Sequence, residues 1–149
     1  MSSPRMTSCI IALIACLFPM PAAHALDDQG AQAVINKFLG SQKLDGASAS
    51  PDRHVIADLD GDGRPDIVLI WAVLGPTSGY YKMSVFLDQG RNYRTLTTNL
   101  SGDVQKLTVN GRTIVIDVLN LGPNDPRCCP SVKAQQRFQW TGQKLVAVK

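Results

Sequence analysis

Four carboxylates crowd into nine residues at Asp58-Leu59-Asp60-Gly61-Asp62-Gly63-Arg64-Pro65-Asp66. Like charges at this spacing repel, and Arg64 offsets only one of them. A hard cation relieves the repulsion. Ca2+ takes six to eight oxygen ligands and tolerates irregular geometry. Alternate-residue spacing lets a tight loop turn Asp58, Asp60 and Asp62 inward. Gly63, at the sixth position, can take the positive φ of such a turn. The Arg64 carbonyl is expected to be a backbone ligand with its side chain outward, and Asp66 to close the site. The set predicted to hold calcium is therefore Asp58, Asp60, Asp62, Arg64 and Asp66. The competing reading is an Asp/Gly turn whose carboxylates are simply solvated.

An EF-hand fails at one position: the twelfth residue is Leu69, where that loop needs a bidentate Glu. The flanks, Val55–Ala57 and Ile67–Trp71, are apolar and largely β-branched. This places the loop at the tip of a β-hairpin rather than between helices. Without the Glu, affinity is expected on the order of 10⁻⁴ to 10⁻³ M.

The second unusual segment is Asp125-Pro126-Arg127-Cys128-Cys129-Pro130-Ser131. In an oxidising compartment two remaining cysteines tend to pair, so Cys128 and Cys129 are expected to form a disulfide. Adjacent residues have Cα atoms about 3.8 Å apart, short of the 4.4–6.8 Å that ordinary bridges prefer, so the bond would be strained. Free thiols, intermolecular bridges and a redox role stay open.

Compartment follows from the first 25 residues. Arg5 precedes an apolar run from Cys9 to Phe18, and Ala23-His24-Ala25 is an A-x-A cleavage site. A ten-residue run is too short to span a bilayer. Cleavage after Ala25 leaves residues 26–149 as one exported domain in the periplasm or medium. The alternative is a lipobox, Leu13-Ile14-Ala15-Cys16, which would put a lipid on Cys16. Leu17, Phe18 and Met20 make that tether unusually apolar.

The elements that must position these groups are mostly strands. Every acidic residue is Asp and none is Glu, which disfavours a helix bundle, since Asp prefers turns, caps and metal loops. Ala31, Val34, Ile35, Phe38 and Leu39 trace one helix face, started by Asp27-Asp28 and ended at Gly40. Ser41–Asp52 reads as a polar loop. Short strands follow at His54–Ala57, Ile67–Leu74, Tyr80–Leu87, Tyr93–Thr97, Val104–Val109, Thr113–Leu119, Lys133–Trp140 and Lys144–Val148. Asn110-Gly111 predicts a type I′ hairpin turn. The expectation is an α+β fold: one N-terminal helix, then a largely antiparallel sheet of about seven or eight strands.

With the motif and its flanks in hand, the segment resembles the FG-GAP/VCBS calcium-binding repeat. There an Asp-x-Asp-x-Asp-Gly-x-x-Asp loop joins two strands, as Val55–Asp66 and Ile67–Leu74 do here, and Ser84–Gly90 matches the next strand and turn. The likeness covers roughly residues 53–97. It implies calcium on the same five residues. A single copy does not imply a propeller.

Other chemistries lack parts. His54 is the one histidine beyond the leader, with nothing around it to build a zinc site or a Ser-His-Asp triad. The only Asp cluster is already engaged, and Gly61 and Gly63 lie between carboxylates that would repel phosphate. A net charge of +3 without a dense basic run gives no sign of nucleic-acid binding. The function expected from sequence is an exported calcium-binding module, not an enzyme, that meets a protein or cell-envelope component and has no membrane span. The alternatives are an inhibitor presenting Asp125–Ser131 or Gly75–Gly79 to an enzyme cleft and, third, a hydrolase.

Overall fold

The computed structural model describes residues 26–149. The leader, its A-x-A site and Cys16 lie outside the described residues. Helix α1 spans Asp28–Gly40, and the Asp27 carboxylate caps it by accepting the Gly30 N–H at 2.8 Å. Ala31 and Ile35 are its fully buried residues, on the face expected from the sequence. Gly40 is not the cap. It is the last helical residue, and Ser41 closes the helix by donating its N–H and hydroxyl to the Phe38 carbonyl.

Eight strands follow, in two sheets rather than one. β1 (Ser48–Ala57), β2 (Asp66–Leu74), β3 (Gly79–Asp88) and β4 (Tyr93–Asn99) form an antiparallel meander. β5 (Asp103–Asn110), β6 (Thr113–Asn120), β7 (Val132–Trp140) and β8 (Leu145–Val148) form a second. The reason lies in β2, whose nearly unbroken apolar run is buried on both faces. Ile67, Leu69, Trp71 and Val73 face α1 with Ala31, Ile35 and Phe86. Val68 and Ile70, with Met83, Val85 and Leu87 of β3, pack on Ile114, Ile116, Val118, Phe138 and Trp140 of the second sheet. A strand apolar on both sides needs cover on both, and helix and second sheet supply it.

Ser48–Asp52, expected as loop, belongs to β1. β1 is an edge strand, so Pro51 costs no ladder bond there, and the pairing skips Asp52 between Pro51 and Arg53. The β5–β6 turn is also shifted by one residue. Asn110 pairs with Thr113, so the turn residues are Gly111 and Arg112. Only Gly111 has positive φ (53°), the pattern of a type II′ turn rather than I′.

Arginines bridge the sheets by donating to backbone carbonyls. Arg53 of β1 reaches Val104 at 3.3 Å and also Gln105, the residue skipped at the β5 bulge. Arg94 of β4 reaches Gln143 at 2.6 Å. Arg112 reaches Asp60 at 3.0 Å.

Candidate functional site

The Asp58–Asp66 loop does join β1 to β2 as a hairpin. Its alternation has a packing cause: Leu59 is fully buried in the core between the sheets, which turns Asp58 and Asp60 the other way. Gly61 and Gly63 both have positive φ, 81° and 83°. Asp58 organises the turn. Its Oδ1 accepts the N–H groups of Gly61 (2.7 Å) and Asp62 (3.1 Å), and its Oδ2 that of Gly63 (3.0 Å). Asp60 accepts the Asp62 N–H at 3.1 Å.

Asp66 is fully buried. Its oxygens accept the N–H groups of Leu59 and Asp88, both at 2.9 Å, tying the loop to the end of β3. Burial raises its pKa above the usual 3.8 and the nearby Asp60 charge adds to this, while the two backbone donors oppose it.

Three of the expected ligands converge. Asp58, Asp60 and Asp66 each place a carboxylate oxygen within 4.8 Å of the others. Asp62 is outside that group: it accepts the Arg64 N–H at 2.8 Å and pairs with the Arg64 guanidinium. The Arg64 side chain is exposed, as expected, and also donates to the Asp88 carbonyl at 3.0 Å. Arg112 was missed as a partner of this loop, because reaching Asp60 requires the one-residue shift of the β5–β6 turn.

The cysteine loop connects β6 to β7 at the other end of the sheets. Asp125 staples its mouth, accepting the N–H groups of Gly122 (2.8 Å) and Ser131 (2.7 Å) and the Ser131 hydroxyl (2.9 Å). These donors hold its carboxyl below 3.8. A turn follows, with the Cys129 N–H on the Pro126 carbonyl at 2.9 Å. Both cysteines are exposed and their sulfurs are not bonded to each other. A hydrogen bond with Cys128 raises the Cys129 pKa above 9.0, and burial and the Asp125 charge add to the rise.

One concavity had no sequence signal, since three strands contribute to it. It measures about 700 Å³ and is lined by residues including Gln105, Asp117, Leu119, Lys133 and Gln135. The Gln135 amide donates to Asp117 at 2.7 Å. His54, a residue inside β1, bonds Asp28 at the start of α1 at 2.8 Å.

Residues 64–143 match the LppP/LprE lipoprotein family. The chain belongs to that family. No curated protein and no solved structure matches it.

Membership in the LppP/LprE family overturns the FG-GAP/VCBS resemblance, since the match runs from Arg64 through β2–β7 to Gln143. The packing gives the physical reason. The first sheet covers its faces with its own helix and with the second sheet, so it is not one blade among like neighbours. The calcium-module function inferred from that resemblance falls with it; the family places the chain among lipoproteins instead. The match does not reach Asp58, Asp60 and Asp62. Among the described residues no helix is long and apolar enough to cross a membrane.

Proposed function

We propose that the protein is a lipid-anchored domain of the cell envelope, held by an acyl-modified Cys16. The observation that carries this is membership in a lipoprotein family by a chain whose leader contains Leu13-Ile14-Ala15-Cys16. Cleavage then falls before Cys16 instead of after Ala25, and residues 17–26 become the tether. Leu17, Phe18 and Met20, out of place in a free linker, suit the interfacial zone next to the lipid. The ten residues between Cys16 and Asp27 reach at most roughly 35–40 Å, so the domain stays close to the bilayer.

The domain works by presenting surfaces rather than by catalysis. In support, His54 is engaged with the helix start, and the loop carboxylates are occupied as backbone acceptors. Cation binding is a separate proposal, resting only on the convergence of Asp58, Asp60 and Asp66. Ca2+ would there be a structural ion. A melting temperature unmoved by calcium at several-fold above about 10⁻³ M rules it out.

The anchor is tested by growing expressing cells with an alkyne fatty acid and sequencing the mature N-terminus. The expected result is label on a chain beginning at Cys16, lost in Cys16→Ala. An unlabelled chain beginning at Leu26 refutes the proposal.

A further inference from the structure

Each sheet has two edges, and three of the four are blunted. β1 carries Pro51 and a bulge at Asp52. β5 bulges at Gln105, and the Arg53 guanidinium takes the carbonyls of Val104 and Gln105. β8 is only four residues long. β4 has none of these devices. It runs seven residues, Tyr93–Asn99, in unbroken register with β3, and contains no proline. Its one charge, Arg94, is turned toward the second sheet, where it donates to the Gln143 carbonyl and lies over the Trp140 ring. Folded proteins guard sheet edges with charge, bulges, proline or brevity, because an open edge pairs with another strand.

The ladder shows which backbone groups of β4 are open. At its two ends the Leu100 N–H donates to the Tyr81 carbonyl and the Gln89 N–H to the Asn92 carbonyl, both at 2.9 Å. Bonded pairs alternate with non-bonded ones in an antiparallel ladder. Arg94, Leu96 and Thr98 therefore turn their backbone groups to β3, and Tyr93, Thr95, Thr97 and Asn99 turn theirs outward. Asp88, opposite Tyr93, has the matching phase: its N–H points away from β4, onto Asp66. Among the described residues no loop or side chain bonds the outward backbone groups of β4. These open positions are symmetric about Leu96.

We propose that two copies of the chain associate through β4, pairing antiparallel about a two-fold axis at Leu96. Tyr93 then exchanges both backbone bonds with Asn99 of the second copy, and Thr95 does so with Thr97, each pair occurring twice. No outward group between Tyr93 and Asn99 is left over. Leu96 meets Leu96 of the second copy as a non-bonded pair, in which Cα atoms approach to about 4.5 Å and side chains touch. Arg94 lies opposite Thr98, so no like charges meet. A slip of two residues either way leaves outward groups unpaired. A slip toward the β3–β4 turn also brings the two Arg94 side chains together, which like-charge repulsion opposes. This self-fit favours a second copy over an unrelated extended segment, which would require no symmetry of β4. The two four-stranded sheets become one of eight strands. The association goes beyond the lipid anchor and does not need it, although holding both copies at one surface raises their effective concentration.

Thr95 is exposed and its N–H points outward, so Thr95→Pro keeps the bonds to β3. It removes one outward donor and sets a ring on the edge. The full chain is purified in mild detergent with reductant present and followed by sedimentation through a dilution series. The wild type should exchange between monomer and dimer. Thr95→Pro should weaken the dimer at least about ten-fold, since each pairing loses two hydrogen bonds, with a melting temperature close to wild type. Chains that merely share a micelle would not respond to this substitution. A wild type that is monomeric at every concentration, or a dimer unmoved by Thr95→Pro, overturns the proposal. A second test is independent of how the proline variant folds. In intact cells, with Cys128→Ser and Cys129→Ser present, Leu96→Cys should form a reducible homodimer. Thr98→Cys should form at least ten-fold less, because the two Thr98 positions lie roughly 13 Å apart along the paired strands. Equal bridging by both variants, bridging by neither, or a bridge from Leu96→Cys to a different protein in place of itself overturns the proposal.

Discussion

Replacing Asp66 tests whether one buried carboxylate holds the acidic loop to the rest of the fold. Asp66 has no solvent exposure and accepts two backbone donors, from Leu59 inside the loop and Asp88 at the end of β3. Asp66→Ala leaves both N–H groups without a partner. The Leu59 donor lies in a buried setting that water does not readily reach, whereas the Asp88 donor is only partly buried. An unsatisfied buried donor costs about 1–3 kcal/mol, and hydrogen bonds to a charged acceptor are worth about 1.5–3 each. Set against the desolvation that burial of the carboxylate already costs, the net loss for Ala is about 3–4 kcal/mol. Asp66→Asn keeps the shape and one acceptor, so it should lose about half as much. Urea unfolding followed by Trp71 and Trp140 fluorescence measures both. The Ala variant should also melt roughly 10–15 °C lower. The pH dependence has a definite sign. With its folded pKa raised, Asp66 contributes stability that is full below 3.8 and is lost as pH rises through the folded value. The gap between wild type and Asn is therefore widest in acid and narrows toward neutrality. An Ala variant within about 1 kcal/mol of wild type, or an Asn variant no better than Ala, refutes the reasoning.

Two further substitutions probe the far end of the fold. Gly102 has φ 71°, and a Cβ there would lie 2.4 Å from Asn120 Oδ1 and 2.6 Å from the Leu119 carbonyl oxygen. Gly102→Ala should cost about 2–4 kcal/mol, read as a lower urea midpoint at unchanged slope. Asp125 has its pKa lowered, so the staple is present above pH 3.8 and is lost as pH falls through the lower folded value. The amide shifts of Gly122 and Ser131 should titrate together with a midpoint under 3.8, and a midpoint at or above it contradicts the staple. In Asp125→Ala those shifts should show no such titration.

The helix and most strands were readable because their signals are local. One stripe, Ala31 to Leu39, could only be a helix face, and Ile67–Leu74 could only be a buried strand. What was hidden depended on partners far along the chain. That β2 is covered by a helix on one side and a second sheet on the other is not written in β2 itself. The turn at Gly111-Arg112 is set by pairing across the hairpin, and it decides that Arg112 reaches Asp60. Pro51 read as a loop residue because only the assembled sheet makes β1 an edge. The acidic motif pointed to the wrong family for a related reason. Its spacing describes nine residues, whereas the family match takes in strands β2–β7 from both sheets.

The two ends of the domain differ in how they are tied. At one end the β1–β2 loop, the end of β3 and the β5–β6 turn are cross-tied by Arg64 to Asp88 and Arg112 to Asp60, and Arg94 ties β4 to Gln143 beside them. At the opposite end lie the β2–β3 loop and the cysteine loop. There Leu74, Tyr80, Leu121 and Val132 account for four of the five exposed large hydrophobics among the described residues. The start of α1 contacts His54, whose strand partner Leu69 lies closer to the Asp66 end of β2 than to Leu74. The chain after α1 enters β1 at Ser48, which pairs with Leu74 itself. The helix thus runs from the tied end toward the open one.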